Sequence, residues 1–382
     1  MIFYRLFFQL NCKHLLRDQR PPLLLTVLTD PDRLLTLSLR KWDRLLPLAR
    51  YAGVLGRFYP QLAEYGMLDS IPAPVLPHLE AASIIAQEHE RKIRWEVNRI
   101  QRALIDLTVP VVLLKGAAYV MAGLPCAQGR LVSDVDIMVP KAQLGLVEQA
   151  LQRHGWEATP LDNYDQQYYR RWMHELPPLR HRLRGTLLDL HHTILPETSR
   201  LKPDPAKLLT NAQPVAGTRF QVLAPADMVL HSAAHAFHDG DLSNSLRDLL
   251  DLHDLLCHFG KDPPFWDELP HRAYELDLAR PLFYAVRYTQ RFLGTPLPVS
   301  LAAFLRKAAP PWPVCKLMDA LISRTLLPPV QPPRLGSGFA RWLLYMRSHW
   351  LRMPPLLLAS HLLRKAHKRL QARLTQANQT GG

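Results

Sequence analysis

Cysteine is scarce in this chain and scattered. Cys12, Cys126, Cys257 and Cys315 are the four among 382 residues, and no two stand at C-x-x-C spacing. That excludes a zinc knuckle and a disulfide framework and fits a reducing compartment, so the thiols are expected as ordinary buried groups. Long apolar runs are missing as well, since no stretch reaches the roughly eighteen residues that a membrane span needs. The N-terminal MIFYRLFFQLNCKH is apolar but is interrupted by Arg5 and carries no small-residue cleavage site, which argues against a secretory signal. A cytoplasmic protein, at most peripheral to a membrane, is the expectation. There is no Walker loop, no Rossmann glycine pattern and no Ser-His-Asp order, so three familiar chemistries lose their sequence support. Acids also vanish near the end: after Asp319 come ten basic residues and no Asp or Glu.

What is present is enough apolar material for a sizeable core. Hydrophobic residues make up 48% of the chain, which at this length predicts two or three lobes. Lys and Arg number 47 against 33 Asp and Glu, a formal charge of +14. A field of that sign favours polyanionic partners such as RNA, nucleotides or an anionic membrane surface, without selecting among them. Residues 356–370 read as a basic amphipathic helix, suited to a membrane interface, to an anionic ligand or simply to solvent.

The pattern divides the chain into a helical N-terminal lobe (1–107), an α/β core (108–222), a helical C-terminal lobe (223–326) and a Pro-rich linker with a basic helical tail (327–382). In the first lobe, leucine-rich helices are separated by breaks such as Ser70-Ile71-Pro72-Ala73-Pro74, and residues 88–107 read as a long amphipathic helix. In the core, residues 111–114, 155–159 and 186–192 read as strands, and 141–154 as a helix closed by Gly155. The Tyr-, Arg- and His-rich stretch 163–184 reads as strands or a long loop near a site. Helices are expected over 224–237 and 242–259, the second stopped by Gly260. No internal repeat is evident.

The most informative segment is LLKGAAYVMAGLPCAQGRLVSDVDIMV, residues 113–139, which ends with Asp134-Val135-Asp136 inside an apolar strand. Aspartate is depleted in strands and costly to bury unpaired, so two at i and i+2, on one face, suggest a site for divalent cations. Val135, Ile137 and Val139 point the other way, into a core. Upstream, the strand at 111–114 breaks at Lys115-Gly116, where small residues can bring backbone close to a ligand. Gly123 and Gly129 serve the turn ahead of the acidic strand.

LKGxA, the intervening Arg130 and SDVDIMV resemble the polymerase-β nucleotidyltransferase superfamily, in particular its bacterial branch of nucleotidyltransferase-like proteins. The resemblance extends through Leu188-Asp189-Leu190-His191-His192, similar to the family's third acidic strand, and on through Leu230-His231, His235 and Leu246-Arg247-Asp248. It covers roughly residues 90–260. It implies an α+β fold with a small mixed sheet and helices, flanked by helical lobes, and metal-dependent transfer of a nucleotidyl group from an NTP. Asp134, Asp136 and Asp189 would be the catalytic metal ligands, for two Mg2+ ions or Mn2+. Lys115, Gly116 and Arg130 would hold the triphosphate, Arg130 by its planar fork and Lys115 as a point charge. His191, His235, Arg247 and Asp248 would form the site wall or a structural network. The physics agrees: a triphosphate must be neutralised and an acceptor oxygen aligned, work that paired divalent ions commonly do. The acceptor stays open among protein, RNA and small molecule.

The chain departs from the family where Gly-Ser or Gly-Gly is usual, with Gly116-Ala117-Ala118. That keeps a second function in play, an inactive nucleotidyltransferase-like binding or regulatory protein. A third class is a helical metal phosphohydrolase, because His231, His235 and His238 recur at i, i+4 and i+7, one side of a helix. Tyr164, Tyr168, Tyr169 and Trp172, interleaved with Arg170 and Arg171, either stack bases and hold phosphates or simply pack.

Overall fold

A computed structural model describes residues 22–238, 245–327, 336–355 and Leu358. The expected basic helix at 356–370, most of the Pro-rich linker, the start of the 242–259 helix and Cys12 lie outside these residues.

Helices α1 (Leu23–Thr29), α2 (Leu39–Tyr51) and α3 (Phe58–Glu64) precede the long α4 (Leu76–Ala103). Helix α4 runs 28 residues, starting well before the expected 88. Its proline falls in the first helical turn, where the missing N–H costs no hydrogen bond, so the Pro-containing break ends earlier than the prolines suggest. Its buried stripe of Leu79, Ala86, Ile93, Val97 and Ile100 faces the core.

The core then alternates strand and helix: β1 (Val112–Leu114), α5 (Lys115–Met121), β2 (Asp134–Met138), α6 (Leu144–Arg153), β3 (Trp156–Ala158), α7 (Asn163–Trp172), β4 (Leu179–His181) and β5 (Leu187–His191). Helix α8 (Pro205–Asn211) and the short β6 (Gln213–Pro214) and β7 (Gln221–Val222) follow. Seven strands form one mixed sheet in the order β3-β4-β5-β2-β1-β7-β6. Pairs β2·β5 and β1·β7 are parallel, and the others antiparallel. The central strands carry the apolar residues expected of buried ones: Val112, Leu113, Leu114, Val135, Ile137, Leu188 and Leu190 are all fully buried. Each such side chain contributes about 1.5–3 kcal/mol.

Residues 163–184 are the main departure from the sequence pattern. They open with helix α7 and only then give β4. Polar and aromatic residues mask the helical period there, because α7 packs aromatic rings against one another rather than an aliphatic stripe: Tyr168 and Trp172, one turn apart, meet edge-on at 5.7 Å.

Beyond the sheet the chain is helical: α9 (Pro225–His238), α10 (Ser245–Phe259), α11 (Phe265–Glu275), α12 (Ala279–Leu293), α13 (Leu301–Ala308), α14 (Trp312–Thr325) and α15 (Ser337–Arg352). One hydrophobic cluster runs through all of this, from Leu24 in α1 to Leu344 in α15. No described helix is long and apolar enough to cross a membrane. Cys126 is buried, and Cys257 and Cys315 are half-buried and free.

Buried ion pairs pin the elements around the sheet. Glu96 on α4, wholly buried, accepts both Arg184 Nε at 2.9 Å and Nη2 at 3.0 Å, and Thr186 Oγ1 at 2.6 Å, which fixes the start of β5. Arg272 on α11 makes the same two-pronged contact with Asp227 on α9, at 2.9 and 2.8 Å. Removing one partner of such a pair strands a buried charge, at a cost of about 3–5 kcal/mol.

Candidate active site

Strand alternation puts Asp134 and Asp136 on one face of β2, and the parallel register sets Asp136 directly beside Asp189 on β5. Leu114, the last residue of β1, is the register partner of Asp136 on the other side. Lys115 follows at once, so its ammonium sits over the same place: Nζ is 3.1 Å from Asp136 Oδ1. To get there Lys115 takes φ +45°, left-handed backbone that a side chain rarely adopts and that costs on the order of 1–3 kcal/mol. His191, two residues after Asp189 and on its face, donates from Nε2 to Asp136 Oδ1 at 3.0 Å. The three acids, Lys115 and His191 thus come together from three adjacent strands.

The electrostatics of the three carboxyls differ. Burial alone would raise the Asp136 carboxyl, but Lys115 and His191 outweigh it and hold the group far below the usual carboxylate range. At Asp189 the charge of His191 lowers the carboxyl but does not offset what raises it. Burial first, then the charges of Asp136 and Glu175, push it up to about 7. Asp134, half-buried, is raised by burial and by Asp136. Asp189 Oδ1 is also buried without a hydrogen-bond partner. Clustered oxygen ligands with an unmet acceptor are what a hard divalent ion compensates, so the donor set fits Mg2+ or Mn2+.

Arg130 occupies a different position from a phosphate clamp. Its side chain is nine-tenths buried, and Nε donates to Asp251 Oδ2 on α10 at 2.9 Å. Its guanidinium lies over the Tyr119 ring at 5.6 Å. Its charge still lowers the Asp134 carboxyl, so it adds to the field of the site. Gly116 serves this packing rather than an approach to ligand: a Cβ there would stand 2.5 Å from Arg130 Nη1 and 2.8 Å from Val132 Cγ1. Gly129, at φ +69°, brings the turn before β2 so close that a Cβ would meet the backbone of Gly56 and Arg57 at 2.5 Å. Ala117 and Ala118 are buried in α5.

The three histidines of α9 do not converge. His238 Nε2 pairs with Ser199 Oγ at 2.9 Å, and His235 Nδ1 lies 3.8 Å from Asp248 Oδ2. His231 is buried, and burial, with Lys115 next, drives its imidazole well below the ordinary range, so it is neutral beside the site. A metal centre on this helix, and the phosphohydrolase that would need it, finds no geometry here. Arg247 and Asp248 are linked, Nη2 to Oδ1 at 3.3 Å, and Asp248 Oδ2 lies 3.8 Å from His235 Nδ1. Tyr168 of α7 packs against Tyr169 and Trp172, and Arg170 binds Glu148 through both Nη atoms at 3.1 and 2.7 Å, a two-pronged ion pair in place of a phosphate contact.

Two residues near the acids escaped the sequence pattern, His174 and Glu175. They sit where the chain returns from α7, and backbone bonds lay them against the end of β5: Leu176 N donates to Leu190 O and His192 N to His174 O, both at 2.9 Å. Glu175 Oε2 is 3.5 Å from His191 Nε2 and 3.8 Å from His174 Nε2. Only the His-Glu dipeptide itself could have signalled them, and the pairing of Glu175 with His191, 16 residues on, is invisible to local pattern.

No curated protein matches the sequence. A crystal structure of an antigenic nucleotidyltransferase-like protein from Paracoccidioides brasiliensis is similar at a TM-score of 0.31 and 14% identity, over 55% of this chain and 94% of that one. The family model described as uncharacterised nucleotidyltransferase matches residues 38–294, which take in the sheet, the three acids, Lys115 and helices α9 and α10. The chain belongs to that nucleotidyltransferase family.

Proposed function

We propose that the chain moves a nucleotidyl group from a nucleoside triphosphate to an acceptor hydroxyl, on a polymerase-β-like core. The observation that carries this is the register of β2 on β5, which gathers Asp134, Asp136 and Asp189 on one face with Lys115 Nζ 3.1 Å from Asp136. Asp134, Asp136 and Asp189 would hold divalent ions, Mg2+ or Mn2+, which when bound neutralise the triphosphate and the charge of the leaving pyrophosphate.

The chain's own groups supply the rest. Lys115, close to Asp136, carries the ammonium that meets the phosphates. Asp189, register partner of Asp136, is placed on the same face to take the acceptor's proton. The acceptor oxygen forms a bond to the α-phosphorus, the α–β anhydride breaks, pyrophosphate leaves with the electron pair, and the proton goes to Asp189. His191 holds Asp136 in place from Nε2. Arg130 positions the Lys115-Gly116 turn by packing against Gly116 and adds positive field at Asp134.

A second reading, an inert nucleotidyltransferase-like module, has one observation in its favour: no hydroxyl stands at Ala117 or Ala118, and both alanines are buried in α5. The two separate in one assay. The protein is incubated with each α-labelled triphosphate, Mg2+ or Mn2+ and a broad acceptor pool of proteins, RNA and small hydroxyl compounds. Label transferred by the wild type and lost in Asp136→Ala supports transfer. Equal, background label in both, with triphosphate still bound, supports the inert module. The excess of basic residues after Asp319 weights the acceptor, or a docking surface, toward anionic partners such as RNA or an anionic membrane.

A further inference from the structure

The carboxylate face leaves His174 and Glu175 unused, yet they meet His191 at its edge. We propose that His174, Glu175 and His191 form a site for a transition-metal ion of the zinc type, next to the Asp134-Asp136-Asp189 face and sharing His191 with it, whose Nε2 would exchange its proton, and with it the bond to Asp136, for the ion. The inference needs no nucleotidyl transfer to hold, because it concerns the resting protein.

Ligand-capable atoms of the three residues all lie within 4.8 Å of one another. The two measured edges are 3.5 Å, from His191 Nε2 to Glu175 Oε2, and 3.8 Å, from His174 Nε2 to the same oxygen. Around an ion bound at ~2.1 Å, neighbouring tetrahedral ligands stand roughly 3.4 Å apart, so small rotations of these side chains would complete the geometry. The imidazole rings face each other at a tilt of 38° with centroids 5.2 Å apart.

The donors are also pre-placed. Glu175 and His191 form a β-bridge, and the bonds Leu176 N to Leu190 O and His192 N to His174 O clamp both flanks at 2.9 Å. His174 and His191 are 6% and 1% exposed, and the half-buried Glu175 leaves the side from which an ion or its fourth ligand enters. Little chain entropy is left to lose on binding, and the low dielectric strengthens the ion's attraction to Glu175.

The donor set decides the class of ion. Two imidazoles and one carboxylate suit zinc and its transition-series neighbours, with a fourth position left for water or ligand, whereas Mg2+ prefers an all-oxygen shell and keeps its waters. The competing occupant is a proton: His191 as imidazolium, hydrogen-bonded to Asp136 at 3.0 Å and paired with Glu175, would hold the same atoms together without metal.

The test uses full-length protein stripped with chelator, then titrated with Zn2+ and, separately, Co2+, in the absence of nucleotide. With excess Mg2+ present to occupy the aspartates, a first and tightest equivalent of Zn2+ is expected, with a visible Co2+ spectrum of imidazole and carboxylate ligation. Glu175→Gln and His174→Gln should each weaken Zn2+ by roughly tenfold or more, while Asp134→Asn binds it as wild type does. Anomalous diffraction at the zinc edge on wild-type crystals requires no variant to fold and should place the ion among His174, Glu175 and His191. Failure to bind one equivalent, indifference to both substitutions, or an anomalous peak elsewhere overturns the site and leaves His191 to its proton. Because no triphosphate is present, a catalytically silent protein that binds Zn2+ in this way would sink the transfer proposal alone, and an active one that does not would sink only this site.

Discussion

Asp136 and Asp189 are register partners on adjacent parallel strands, one held ionised by Lys115 and His191 and the other pushed up to about 7. In the metal-free protein two carboxyls side by side are thereby given unequal protonation.

Asp189 should therefore destabilise the metal-free fold at high pH. Its folded value, about 7, lies above the ordinary value near 4, so between these the native state keeps a proton that the unfolded chain has lost. Stability falls as pH rises through that window, and the penalty is complete above about 7. Asp189→Asn has no such penalty. In denaturant unfolding of metal-free protein, the variant should gain over wild type from about pH 4 upward and be more stable by roughly 1–3 kcal/mol at pH 8. It should also lose transfer activity. A difference in stability that is independent of pH would count against the strained carboxylate.

Lys115 combines a charge with left-handed backbone. Lys115→Ala and Lys115→Gly both remove the ammonium 3.1 Å from Asp136, and each should lower transfer by several kcal/mol of barrier, roughly a thousandfold. Glycine also relieves φ +45°, so Lys115→Gly should unfold at a free energy about 1 kcal/mol higher than Lys115→Ala. Equal stability of the two would mean that the turn carries no strain.

Arg130 provides a third check, because its guanidinium is bound to Asp251 across 121 residues. Arg130→Met should cost about 3 kcal/mol or more by leaving Asp251 buried and unpaired, and adding Asp251→Leu should recover most of that. If the single variant is as stable as wild type but no longer binds triphosphate, Arg130 grips phosphate after all.

Gly116→Ala should be destabilising by about 1–3 kcal/mol, since the added methyl meets Val132 and the anchored Arg130. Calorimetry of the two proteins side by side reads this directly. An unchanged melting temperature would contradict the packing role.

The acidic face was legible in sequence because it breaks a local rule: Asp134 and Asp136 interrupt a run of strand formers, and period two alone puts them on one side. Asp189 came with the resemblance of Leu188-Asp189-Leu190-His191-His192 to the family's third acidic strand. The strands at 112–114, 134–138, 156–158 and 187–191 and the helices α6 and α9 fall close to their expected places, where an apolar period is clean. Legibility failed where long-range contacts decide. Nothing near Arg130 announces Asp251 on α10, and nothing in residues 163–184 announces that α7 packs by aromatic rings or that His174 and Glu175 come to rest on β5. The i, i+4, i+7 histidines of α9 share a helix, yet His235 turns to Asp248 and His238 to Ser199, so periodicity named a face without naming its neighbours.

The most direct test of the carboxylate site is a crystal structure of the protein with a non-hydrolysable triphosphate and Mn2+, read by anomalous scattering. The predicted map has manganese bound by Asp134, Asp136 and Asp189, with the triphosphate over them and Lys115 Nζ moved from Asp136 onto a phosphate oxygen. A nucleotide bound elsewhere, or manganese absent from the three aspartates with nucleotide present, would contradict it.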